Sequence, residues 1–363
     1  MRFLSTLALL LTAAHLPAQD FDFRGVPADS AVAFATTGTR GLRISDSPAA
    51  TAFRTRIEKL VADLDPTAQA SQRETFAAVK AATGLDLESP DTRFAGGFSI
   101  GTDGQPTGGV IGRARHAGSR LAAHAGAKNV GVVRAGNHRG WNGRELFASL
   151  SEDFAKVAAG IPAEPAGDKD GSEPIGVFDF DNDTIVIAQP REAARIIALL
   201  RGQGASFALP ANLRPQVAAT GRAYAVASVN AAKLTPSAEL ANSGFLGGVF
   251  AMGENNLDQV LKISAYFTSK EKAAPLAMQA QGMLAMAPMM LAGDPTKPET
   301  AEEKEMKALA GEFLAGIQPV EASGNQLTLT AKWDTKKLYA MIEKIVAIGA
   351  AKAKDMPAPA VGK

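Results

Sequence analysis

Two stretches of the chain alternate apolar and polar residues, turn, and then change to a helical period. In the first, Ile175-Gly-Val-Phe-Asp-Phe180 and Thr184-Ile-Val-Ile-Ala188 flank a turn at Asp181-Asn182-Asp183, and Pro190 opens a helical pattern that runs to Arg201. In the second, a short strand after Val320, the Gly324-Asn325 turn and the alternating Leu327-Thr-Leu329-Thr-Ala331 precede Asp334, which caps a helix carrying Leu338, Met341, Ile342, Ile345 and Val346 on one side. A hairpin followed by a helix thus closes each part of the chain. That recurrence predicts an internal duplication.

The segments between fit the same reading. Ala31 to Thr36 and Ala223 to Val229 read as the opening strands of the two halves. Phe53, Ile57, Leu60, Val61 and Leu64 form one helical stripe, and a second helix from Ser71, with Phe76 and Val79 inward, stops at Thr83-Gly84. Strand pairs are expected at 93–101 with 109–115, around Asp103-Gly104, and at 246–252 with 260–268, around Asn255-Asn256. Each pair feeds an alanine-rich helix, short at 119–127 and long from Lys270 toward Leu291, with Pro288 expected to kink or stop the long one. Val130 to Val133 has strand character, which continues less clearly from Trp141 to Leu150, and 151–174 reads as an exposed loop at its end. Met306, Leu309, Phe313 and Leu314 share one face of a helix over 299–317. Antiparallel hairpins interrupted by helices, without strict βαβ alternation, predict an α+β protein: antiparallel sheet or sheets, helices packed on one face, two related halves.

Composition narrows this picture. A chain of 363 residues with 46% apolar and 21% charged residues is globular, and a formal charge of +1 without a basic block argues against a nucleic-acid partner. Residues 1–18 read as a secretory signal, with Arg2 as n-region, Phe3 to Ala14 as h-region and cleavage near Ala18 before Gln19, so the product is expected outside the cytoplasm with no membrane-spanning segment. Loss of Arg2 would bring the formal charge to zero. With no cysteine, neither a disulfide nor a lipid-bearing cysteine can form. The expected organisation is a signal peptide at 1–18, a first half at 19–205, a linker at 206–219, a second half at 220–348 and a disordered tail at 349–363.

The Phe178-x-Phe-Asp-x-x-Thr-Ile-Val-Ile-Ala hairpin with its Ala194-Arg-Ile-Ile-Ala-Leu-Leu-Arg-Gly helix, and the Glu321-Ala-Ser-Gly-Asn-Gln-Leu-Thr-Leu-Thr-Ala-Lys pattern, resemble those of a group of uncharacterised secreted bacterial proteins with two such repeats. The resemblance implies an envelope location. It brings no activity, catalytic residue or ligand.

Candidate chemistry is sparse. Asp179, Asp181 and Asp183 alternate as in a calcium loop, but Thr184 and Pro190 stand where such a loop needs glycine and a bidentate glutamate, leaving an acidic turn. His116, His124 and His138 lack the spacing of a zinc site, and no metal or other cofactor is implied. Ser269 and Lys272 show a bare Ser-x-x-Lys spacing without partner motifs, so Ser269 reads as a helix cap. The pairs Gly96-Gly97 and Gly247-Gly248 sit at equivalent places inside strands, where close packing or a bulge is the commoner cause. Trp333 is assigned to packing beside the last helix.

The remaining feature is Met278, Met283, Met286, Met289 and Met290, five methionines within thirteen residues. Thioethers can hold Cu(I), fit varied apolar ligands or fill a core. Core packing is expected for Met278 to Met286 and partial exposure for Met289 and Met290, with Met283, Met286, Met289 and Met290 as candidates for an apolar ligand. The reading is a secreted, non-enzymatic binding or structural protein of the bacterial envelope, partnered by an envelope protein or an apolar small molecule. A carrier or chaperone is one alternative; a hydrolase is a further one, for which no nucleophile and base can be named.

Overall fold

In a computed structural model, residues 21–37, 47–64, 77–86, 89, 91–100, 106–150, 174–234, 242–292 and 299–355 are described, the side chains of 61–64, 106, 290–292 and 349–355 excepted. Among them runs one sheet of twelve strands: β1 (Val32–Thr37), β2 (Arg93–Ile100), β3 (Pro106–Arg113), β4 (Val132–Ala135), β5 (His138–Asn142), β6 (Gly176–Asp179), β7 (Thr184–Ala188), β8 (Arg222–Asn230), β9 (Phe245–Asn255), β10 (Asp258–Phe267), β11 (Glu321–Ser323) and β12 (Gln326–Asp334). Every pairing is antiparallel. The α+β class therefore holds, and a single sheet crosses both parts of the chain.

At its centre β1 pairs with β8, from Val32 opposite Val229 to Thr36 opposite Ala225. Outward from β1 the order is β2, β3, β7, β6, and outward from β8 it is β9, β10, β12, β11. In both directions a three-strand meander is followed by a hairpin whose second strand joins the third meander strand. The β4–β5 hairpin continues the β1 side beyond β6.

The helices are α1 (Pro48–Leu64), α2 (Ala117–Ala127), α3 (Gly143–Leu150), α4 (Pro190–Leu200), α5 (Arg214–Ala218), α6 (Lys270–Ala292), α7 (Ala301–Ala315) and α8 (Thr335–Asp355), with a further helical stretch at 77–83. They are not confined to one face, as the hairpin pattern had suggested. Successive residues of a strand point to opposite sides, and here Val177 and Ile185 join Leu121 of α2 and Leu146 of α3, whereas Phe178 and Val186 join Ala193, Ile196 and Ile197 of α4. Burial on both sides is why β7 reads as an almost unbroken apolar run. The α4 side of the core continues through Ile111, Ala95, Ala33, Val226 and Val249 to Val217 of α5. None of the helices is long and apolar enough to cross a membrane, among the described residues.

Three local expectations need correction. Gly143 to Leu150 is a helix, not a continuing strand: Leu146 and Leu150 lie four apart and are both buried, and the Asn142 side chain accepts from Glu145 N at 3.2 Å at its start. The last helix runs to Asp355, beyond the expected tail boundary, because alanine and lysine after Ile348 favour helix; residues 356–363 lie outside the described part, as do Asp103-Gly104, Ser71, Phe76 and residues 151–173. Of the kink or stop expected at Pro288, the stop is overturned, since α6 continues to Ala292. The paired glycines mark close packing: a Cβ on Gly96 would meet the Phe34 ring at 2.5 Å, and one on Gly248 would meet Ser264 O at 2.5 Å.

Candidate apolar ligand site

Helix α6 carries no charge between Lys272 and its end at Ala292, so its sequence is apolar nearly all round. Which side turns inward is decided by size. Ala273 and Ala277 are buried and Ala280, Leu284 and Ala287 half-buried, a stripe at helical spacing that lets the helix lie close to its neighbours. The bulky side is left outward. Met278, Met283 and Met286 are 70%, 65% and 57% exposed, and Met289 is 74% exposed, so core packing of Met278 to Met286 is overturned. Met290 has its side chain outside the described part.

Beside this strip, α6, α7 and α8 enclose an open cleft of about 550 Å³, lined by Ala287, Met306, Leu309, Ala310, Phe313, Leu314 and Ile345. Every lining residue is apolar. The volume falls inside the range of about 300 to 1,000 Å³ common for small-molecule sites. Leu309, which lines it, belongs to a small buried cluster with Leu338 and Met341, against which Trp333 and Ile342 pack. Trp333 packs there as expected: its ring lies 4.7 Å from that of Phe313, and its Nε1–H donates to Phe313 O at 2.9 Å. Gly316 seats the indole, since a Cβ there would come within 2.1 Å of Trp333 Nε1.

The start of α7 is held by a capping box, Thr300 Oγ1 accepting from Glu303 N at 3.1 Å while the Glu303 carboxylate accepts from Thr300 N at 2.9 Å. Charged side chains stay at the margins. Lys344 pairs with Glu305 at 3.7 Å, and Lys307 with Glu299. Met283, Met286 and Met289 are not among the residues that line the cleft, which Ala287 of the same helix and Met306 of the next do line. The missed lining residues Met306, Phe313 and Leu314 were visible as an apolar face over 299–317, but a face alone does not reveal whether a neighbour fills the space beside it.

No family model matches this chain, and no curated protein does. Among solved structures, three crystal forms of TP0453 are similar to it: form I at 8% identity with TM-score 0.37, form III at 7% with 0.40 and form IV at 8% with 0.41. The alignments cover 90–91% of this chain and 98–99% of TP0453. Superpositions this loose carry no inference about ligand or activity.

The other sequence candidates are tied into the fold. Asp183 Oδ1 accepts from His116 N at 2.7 Å and Asp181 Oδ1 from Asp183 N at 2.9 Å, so two of the three alternating aspartates serve the turn. Asp179 has its pKa raised by burial. His116 stands in the left-handed region at φ 62° and meets Asn182 through its ring at 2.8 Å. His124 Nε2 lies 3.0 Å from Ser149 Oγ, but that hydroxyl donates to Leu146 O at 2.7 Å, which makes the pair a tie between α2 and α3. Burial lowers the pKa of both His124 and His138, helped by Lys128 and Arg201 respectively. Lys272 Nζ donates to Asn242 O at 2.8 Å, away from any role with Ser269. No group of three or more His, Asp or Glu is placed to hold a metal ion, among the described residues.

Proposed function

We propose that this is a secreted, non-enzymatic binding protein of the bacterial envelope, released by cleavage near Ala18 and built from two related halves, and that it carries an apolar small molecule in the cleft between α6, α7 and α8. One observation carries the reading: the cleft is open, of ligand size, and lined by apolar residues alone. Met306 in the lining supports it, since a thioether side chain accommodates varied apolar shapes. An apolar ligand entering such a cleft gains about 25 cal/mol for each Å² it removes from water. No competing charge lies in the lining to be desolvated.

The test is a titration with N-phenyl-1-naphthylamine, a neutral dye that brightens in apolar surroundings. Wild-type protein should saturate at one site, and Ala310→Trp, which fills the cleft from a half-buried position, should weaken binding at least tenfold while the fold is kept. Cu(I) should leave the titration unchanged. Equal dye binding by wild type and Ala310→Trp would remove the proposal, and tight Cu(I) binding lost in Met283→Leu/Met286→Leu would replace it with a metal site.

A further inference from the structure

A second cavity, also of about 550 Å³, opens between the segment before β1, residues 206–209 and α5. Its chemistry differs from that of the first cleft. Phe21, Phe23, Phe207, Leu209 and Val217 supply an apolar body, with Phe23 and Phe207 meeting edge to face at 4.9 Å. Arg24, Asp22 and Arg214 bring charge to the same cavity.

Those charges are not balanced. Asp22 accepts from Arg24 at 2.7 Å and also faces Arg113 at 3.6 Å, so one carboxylate already answers two guanidinium groups, with Asp181 acting on both from farther away. Arg214 is exposed, its Nε–H donates to Leu209 O at 3.2 Å, and no carboxylate pairs with it among the described residues. That bond holds the guanidinium beside Leu209 and leaves its two terminal NH₂ groups for an incoming acceptor. A fork of this shape suits a carboxylate or a phosphate monoester. A neutral head could accept only a single, weaker hydrogen bond from it, and a cationic head would be repelled.

We propose that this cavity binds an anionic amphiphile, its apolar body among Phe21, Phe23, Phe207 and Val217 and its anionic head on Arg214. The site is distinct from the cleft of α6, α7 and α8 and does not depend on it. Isothermal titration with decanoate, monodecyl phosphate, 1-decanol and decyltrimethylammonium tests the assignment, the two anions distinguishing a carboxylate from a phosphate source. At least one anion should bind tenfold or more tightly than decanol, and the cation should bind no better than decanol. Arg214→Gln should erase the preference of the anion over decanol, whereas Ala218→Trp, at an exposed position on the cavity wall, should weaken binding of the anions at least tenfold. Ala310→Trp should leave decanoate binding as in wild type, which separates failure here from failure at the other cleft. Equal affinity for anion and alcohol, an undiminished preference in Arg214→Gln, no effect of Ala218→Trp, or no binding of either anion would each overturn the proposal.

Discussion

The β6–β7 hairpin and the β11–β12 hairpin perform one local task in different surroundings. Each turn clamps the point where a meander strand gives way to a helix. Asn182 O accepts from Gly118 N at 3.0 Å at the start of α2, and Asn325 O accepts from Phe267 N at 2.9 Å while its side chain returns a bond to Phe267 O at 2.7 Å, just before α6. There the likeness ends. β6 and β7 lie between helices on both faces, with Phe178, Val186 and Ile196 essentially inaccessible, whereas all three residues of β11 are exposed at the rim of the sheet. Helix α4, after β7, turns two isoleucines inward, and the long helix α6 turns mainly alanines. Turn chemistry thus sets where a helix begins, and the bulk of its inward stripe sets how much space is closed.

The sharpest way to break this contrast is to cut into the closed hairpin. Phe178→Ala should cost about 3 to 5 kcal/mol in denaturant unfolding, as large aromatic truncations in cores do. A loss below about 1 kcal/mol would mean the hairpin is not the closed element described.

Next in size is a pH effect where the second part is also closed, beneath α8. Tyr339 stacks on Phe53 with ring centroids 4.4 Å apart, and burial above all pushes its pKa up to about 12 from 10.0. A raised phenol contributes stability that is fully present below pH 10 and is lost as pH climbs to about 12, because the unfolded chain ionises first. At about 1.4 kcal/mol per pH unit the loss is about 2 to 3 kcal/mol over that window. Unfolding curves between pH 9 and 12 should show a shallower decline in Tyr339→Phe than in wild type.

Tyr224→Phe tests the same covered region by a hydrogen bond. The Tyr224 hydroxyl donates to Gln259 Oε1 at 2.5 Å with both side chains buried, and burial raises the Tyr224 pKa strongly. Leaving Gln259 without its donor should cost about 1 to 3 kcal/mol. The smallest effect belongs to the open margin: Met286→Ala should change stability by no more than about 0.5 kcal/mol, the usual scale for exposed positions. A loss of 2 kcal/mol or more in its thermal melt would return Met286 to a core and erase the contrast.

Much of the architecture was legible because its signals are local. Asp334 caps the last helix as its position suggests, accepting from Lys337 N at 2.9 Å, and the Gly324 turn takes the positive φ of 59° that glycine permits. The inward side of α6 was not legible. With apolar residues all round and no charge to mark solvent, periodicity offers two stripes, and the smaller one won because alanine brings helices closer than methionine allows. The cleft itself depends on three helices from positions 287 to 345, and the Arg214 cavity joins residues 21–24 to 206–223; neither leaves a trace in any single window of the chain.

The central claim is that the α6, α7 and α8 side is open to a ligand while the β6–β7 side is closed. Hydrogen–deuterium exchange with and without saturating N-phenyl-1-naphthylamine measures this directly. Slower exchange is expected in peptides spanning Leu284 to Met289 and Met306 to Leu314, with Gly176 to Leu200 unchanged. Protection centred on Gly176 to Leu200, or no protection anywhere at saturation, would contradict the account.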